Sequence, residues 1–237
     1  MNCCRECAAR DRVEGELEVI GRDTRVRVLD TTVEPFRYIC NLEYNGRPLC
    51  SGTLIGPRTV LTAGHCVSGF DAKKMRIIPG RNGTLEPLPA TRATTVIPYP
   101  RYAPATETDI GIIHLADPIG STVGHWKSIL SGALPLPPDR LPVNISGYPG
   151  DKPGGGTFQW RSFNLAMRRI GRMLHHLADS YPGHSGSPVW VRRDPSLGGR
   201  ILIAVHVAGD DPSVRGKANR AVLIDATVRR WIAANTK

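Results

Sequence analysis

Apolar and polar residues alternate in short runs along most of this chain. From Thr24 onward, Val26 and Val28, then Phe36, Tyr38, Leu42 and Tyr44, recur two residues apart or close to it around turn residues. That is the period of half-buried strands. Further short apolar runs at 52–55, 59–62, 75–78, 92–97, 110–115, 143–146, 201–207 and 221–224 extend the series. One stretch conflicts with it: Leu165, Ile170, Met173, Leu174 and Leu177 fall at spacings that suit a helix. Segment 164–177 is nevertheless assigned to strands, because tertiary packing overrides short-range preference. Near the end, Asp225 is an expected N-cap for a closing helix with Val228, Trp231 and Ile232 on one face. The 25 glycines and 20 prolines spread between the runs suit many short strands joined by turns. The class expected is all-β.

The 237 residues are enough for one large all-β domain or two small ones. Residues 1–18 hold three arginines against five acids, a net −2, whereas the rest of the chain carries +12. The folded body is therefore expected at 19–237, after a leader at 1–18. The proline-rich stretch 133–142 would connect two halves, with their boundary near 120–140. The overall charge of +10 can steer acidic partners. The basic residues form no dense tract and no aromatic-basic module, so nucleic acid is not an expected partner. No apolar run approaches the 18–20 residues of a bilayer span, and 1–18 lacks the apolar centre of a secretory signal. Cys4 and Cys7 could form half of a zinc site or a redox pair, but no second pair has matching spacing. Adjacent His175 and His176 point in different directions from regular backbone. No metal and no cofactor is assigned.

Three stretches carry candidate chemistry. In Thr62-Ala63-Gly64-His65-Cys66, a small-residue turn after an apolar strand would lift an imidazole into a cleft as general base. In Thr108-Asp109-Ile110-Gly111, a carboxylate precedes a buried run, where it can fix the imidazole tautomer from a partly buried position. Asp71 and Asp117 are weaker rivals, each beside turn residues with no buried strand following. In Gly183-His184-Ser185-Gly186-Ser187-Pro188, glycines allow a sharp turn around a serine, and the N–H groups of Gly183 and Ser185 could face a developing oxyanion. A serine hydroxyl is a weak nucleophile that needs such a base. His65, Asp109 and Ser185 would form a catalytic triad.

On these stretches the chain resembles the trypsin-like serine peptidases. It more narrowly resembles the bacterial glutamyl endopeptidases, through Val19-Ile20-Gly21, Asp30-Thr31-Thr32, the segment from Pro79 to Thr84, Pro118-Ile119-Gly120, the segment from Ser146 to Lys152, and Ala204-Val205-His206. The resemblance implies two six-stranded antiparallel β-barrels of the chymotrypsin type, with a cleft between them and a C-terminal helix. It implies a secreted, monomeric endopeptidase that cuts protein or peptide substrates through an acyl-enzyme, preferring Glu or Asp before the scissile bond. It also implies a disulfide between Cys50 and Cys66, and a primary pocket made by Ser180, His206 and the amino group of Val19. Glu18 would then precede the point at which a zymogen leader is removed. Cys40 has no counterpart and is either a buried free thiol or a partner for Cys3, Cys4 or Cys7. Animal trypsin-like enzymes carry an aspartate before the nucleophile to pair with the new amino terminus; this chain has His184. The alternatives are a peptidase fold used as an inactive binding module, and an α/β-hydrolase esterase, which would need an alternation of strands and helices that the sequence lacks.

Overall fold

A computed structural model describes residues 19–130, 137, 139, 141–192, 199–209 and 217–237. The expectations for 1–18, including Cys3, Cys4, Cys7 and Glu18, and most of the 133–142 connection lie outside the described residues. Among the described residues, thirteen strands follow in order: β1 (Val26–Arg27), β2 (Ile39–Tyr44), β3 (Arg47–Gly56), β4 (Thr59–Thr62), β5 (Met75–Pro79), β6 (Thr91–Pro98), β7 (Gly111–Leu115), β8 (Pro142–Gly147), β9 (Trp160–Ile170), β10 (Met173–His176), β11 (Pro188–Arg192), β12 (Arg200–Ala208) and β13 (Asn219–Leu223). A closing helix covers Ala226–Asn235.

Two antiparallel barrels result. In the first, β2-β3-β4-β7-β6-β5 closes on itself. In the second, β8 pairs with both β9 and β11, closing the order β9-β10-β13-β12-β11, while the two-residue β1 adds to the outside of β9. Closure removes the unpaired edges that would otherwise invite association. Strands β4 and β7 are buried at every position, which is why they read as continuous apolar runs and not as alternations.

The segment 164–177 forms strands, as expected. Leu165 and Ile170 are exposed on β9, and Met173 and Leu174 belong to the next strand, so their helical spacing never describes one face. Strand β11 was missed: its apolar core is only Val189-Trp190-Val191, too short a run to separate from the turn before it. Trp190 packs edge-on or tilted against Phe36 and Trp126, and Trp126 against Tyr38. This aromatic seam joins the barrels. Across the molecule, the closing helix belongs to the second half of the chain but docks on the first barrel. Trp231 meets the Tyr99 ring, and the Lys237 backbone bonds to Arg58 and Thr59.

Candidate active site

Buried strand β4 ends beside a single 3₁₀ turn, Gly64–Cys66, that turns the His65 side chain out to 25% exposure. Asp109, just before β7, is completely buried, more than the partial burial expected. A buried carboxylate without partners is costly, and this one has three donors. His65 N donates to Oδ1 at 2.9 Å, and Ala105 N donates to Oδ2 at 2.7 Å. The third is His65 Nδ1, at 2.9 Å from Oδ2. Because a carboxylate only accepts, that contact puts the imidazole hydrogen on Nδ1 and makes Nε2 the acceptor. Gly64 is needed here, since a β-carbon would overlap the Tyr102 ring and crowd Asp109 Oδ1. Ala105 was not foreseen. It supplies its N–H from a left-handed backbone, φ +55°, a conformation that costs a residue with a β-carbon about 1–2 kcal/mol.

The turn around Ser185 is equally constrained. Gly183 and Gly186 have φ of +103° and +83°. A β-carbon at Gly186 would overlap Ser51 O and Thr62 Oγ1, and one at Gly183 would overlap Tyr148 O. Ser51 binds this turn twice: its N–H donates to Ser185 O at 2.8 Å, and its Oγ donates to Gly183 O at 2.7 Å. The same Oγ accepts from Tyr148 N at 2.9 Å. The neighbouring Cys50 is disulfide-bonded to Cys66, next to His65. One dipeptide of β3 therefore grips the histidine turn of one barrel and the serine turn of the other. Sequence reading found Cys50 but missed Ser51, whose significance is visible only once residues far apart in the chain meet.

His206 follows on β12, antiparallel to the end of the serine turn: Gly186 N donates to His206 O and His206 N to Ser187 O. It is buried beside His176, with Nδ1 and Nε2 3.4 Å apart. Burial is the largest cause that holds His206 well below the usual histidine range, and the charges of His176, His184 and His65 add to it. His176 is pushed down to about 4 by burial and by His175. Both rings are neutral near pH 7. Ser180 is fully buried. Just before it, Asp179 accepts from Ile20 N at 2.9 Å, Thr24 N at 2.8 Å and Thr24 Oγ1 at 2.5 Å. The segment beginning at Val19 is thus seated beside Ser180.

His184 is buried, and burial followed by the nearby Arg25 charge pushes it down to about 3. The rival aspartates have other tasks: Asp71 caps a short turn through Lys73 N, and Asp117 bonds Thr91. Cys40 is a buried free thiol, its pKa raised by burial. Among the described residues, one His/Cys/Asp/Glu group lies close enough to suggest a metal, Cys50, His65 and Cys66. The disulfide consumes both thiolates that a metal would need.

Glutamyl endopeptidase of Bacillus licheniformis is 38% identical over 203 residues, 81% of this chain and 61% of that protein. Extracellular metalloprotease of Bacillus subtilis is 31% identical over 201 residues, 81% and 62% respectively. The chain thus spans about three fifths of the length of these curated relatives. A solved Glu endopeptidase in complex with MPD superposes with a TM-score of 0.77 at 28% identity, covering 91% of this chain and 98% of that one. The family model for trypsin matches residues 26–232, and the chain belongs to the trypsin family.

Proposed function

We propose that the chain is a serine endopeptidase that hydrolyses peptide bonds through an acyl-enzyme, with a preference for Glu before the scissile bond. The observation that carries this reading is the buried Asp109 holding His65 Nδ1–H, on a turn that Cys50 and Ser51 tie to Ser185. In the first step, Ser185 Oγ adds to the scissile carbonyl carbon while its proton passes to His65 Nε2. Asp109 stabilises the imidazolium formed, and the N–H groups of Gly183 and Ser185 receive the oxyanion. Collapse of the tetrahedral species breaks the C–N bond, with the proton of His65 going to the leaving amine. Water, deprotonated by the same imidazole, then releases the acid and regenerates Ser185.

The Glu preference rests on His206 and Ser180 as hydrogen-bond donors at the foot of the cleft. His206 Nδ1 lies 3.4 Å from His176 Nε2, a contact that orients the His206 ring. A neutral donor suits a substrate carboxylate, because the charge at issue belongs to the substrate. The chain's likeness to the B. licheniformis glutamyl endopeptidase supports the same preference, and its likeness to the B. subtilis extracellular metalloprotease supports a secreted protein. Leader removal at Glu18–Val19 would add the Val19 ammonium to the same pocket.

Digestion of a peptide library tests the whole reading. Cleavage is expected to concentrate after Glu. Ser185→Ala should lower kcat by about 10⁴-fold or more. His206→Ala should lower kcat/KM for Glu substrates by about ten- to a hundred-fold, the worth of one hydrogen bond to a charged group, with a smaller loss for other substrates. A wild-type protein that neither cleaves peptides nor is labelled at Ser185 by a fluorophosphonate is the inactive binding module instead. One that cleaves simple esters but no peptide is an esterase.

A further inference from the structure

The charged pair that animal trypsin-like enzymes place beneath the nucleophile has no aspartate to use at position 184, which is His184 here. A buried ion pair is nonetheless present close by. The Arg25 side chain is 1% exposed and engages two carboxylates. It donates to Asp23 through Nε at 3.0 Å and Nη2 at 2.8 Å, and to Asp151 through Nη1 at 2.9 Å and Nη2 at 2.5 Å. Its guanidinium lies 5.8 Å from the centre of the Tyr181 ring. Lys152 Nζ adds a further bond to Asp23. Burial alone would lower the Arg25 pKa, and the hydrogen bonds to Asp23 and Asp151 outweigh it, so the arginine stays charged.

Two of these partners, Asp151 and Tyr181, adjoin the serine turn. Asp151 belongs to the turn after β8, whose Gly150 N donates to Pro182 O at 2.8 Å and whose Tyr148 O lies against Gly183. Tyr181 O accepts from His184 N at 2.9 Å. One residue before Arg25, Thr24 is bonded to Asp179 at the other end of the same loop. Two consecutive residues of the N-terminal segment therefore meet the loop 179–185, Thr24 at Asp179 and Arg25 at the Tyr181 ring. A fork of fixed donors is suited to this, since bidentate pairs specify orientation as well as contact. A buried pair contributes little net stability compared with apolar packing, which makes position its main product.

We infer that Arg25, through Asp151 and Tyr181, is a positioning residue that holds the Gly183–Ser185 turn so that its N–H groups face the oxyanion. The inference rests on the serine-peptidase reading above. It makes a competent site depend on docking of residues 20–25, with the ion pair supplied from the side of the loop and not from the residue before the nucleophile.

The test uses Asp151→Asn and Arg25→Lys in the full chain, each assayed well below its own melting temperature. Lysine retains the charge but loses the fork. Both variants are expected to lose kcat on a Glu-containing peptide substrate by about ten- to a hundred-fold, a fraction of the roughly 10²–10³ that one oxyanion donor provides, with KM changed less than threefold. A peptide aldehyde ending in Glu is the second probe. Ser185 Oγ adds to its carbonyl carbon as the Oγ proton moves to the new oxygen by way of His65, placing that oxygen where the oxyanion develops. Its affinity should fall by the same factor as kcat, while the affinity of a product peptide ending in Glu stays within threefold. A merely structural role would weaken both ligands together, in step with the fraction unfolded. That result, or wild-type kcat in both variants, overturns the inference. If Arg25→Lys does not fold, Asp151→Asn decides, because its side chain is 23% exposed. Loss of the underlying peptidase reading looks different, since wild type itself would then show no Ser185 labelling.

Discussion

His176, His184 and His206 are buried in the second barrel, and burial is the main reason each titrates low. In the unfolded chain a histidine titrates near 6.5. Between that value and about 4, the unfolded state therefore binds protons that the folded state excludes. By linkage, stability is fully present above about pH 6.5 and is lost as the pH falls, at up to about 1.4 kcal/mol per pH unit for each such histidine. The melting temperature is expected to drop steadily from pH 6.5 to 5, a window above most carboxylate titration. His184→Gln should reduce that slope by the share of one proton. An unchanged melting temperature over the window in wild type would show that these rings accept protons in the folded state. His65, Asp109 and Ser185 could be picked out in the sequence because each sits in a short local pattern, whereas His206 was implied only by the family resemblance. Ser51, Ala105, Asp179 and Arg25 could not. Their partners lie far along the chain, or, for Ala105, the signal is a backbone angle that the letters do not carry.

Among the elements, the closing helix was legible almost to the residue. Asp225 accepts from Thr227 N at 2.9 Å and Val228 N at 2.8 Å, and Val228 and Ile232 are buried. Asp225 also receives Arg172 Nε at 2.8 Å. Asp225→Ala should therefore cost about 1–2 kcal/mol, a fall in melting temperature of about 2–8 °C for a domain of this size, read by calorimetry. Asp225→Asn should recover most of the loss, since Asn caps as well as Asp does. Strands were legible where alternation or turn residues framed them. The segment 164–177 shows why a helical spacing can mislead: Leu165 and Ile170 lie in β9, Met173 and Leu174 in β10 and Leu177 beyond it, and Leu165 faces solvent. Strand β11 was missed for the opposite reason, being too short and too apolar to carry a period.

For the whole molecule, the segment after residue 18 has a place in the structure: Ile20 and Thr24 bind Asp179, and Arg25 binds Asp151. The proposed processing places the amino group of Val19 at the same site as Ser180. Sequencing the N-terminus of fully active protein is expected to return Val19-Ile20-Gly21, and Glu18→Ala should delay activation if the enzyme cuts its own kind after Glu. Full activity with an intact leader would reject processing while leaving the Arg25 contacts untouched.

What the sequence determined by itself is the set of chemical groups and the local frames that present them. Those are the turn glycines, the strand periods, the cap of the last helix, and the histidine, aspartate and serine in their order. These depend on sterics and hydrogen bonds within a few residues, so they survive without knowledge of the fold. Tertiary structure alone decided which distant residues support them. Cys50 and Ser51 join two barrels at one dipeptide, Asp109 is buried among three donors, and Arg25 pairs with Asp151 on the turn that packs against the serine loop. The pairs Ser51–Ser185 and Arg25–Asp151 depend on chain closure over more than a hundred residues, and no local pattern records where a closed barrel brings its strands.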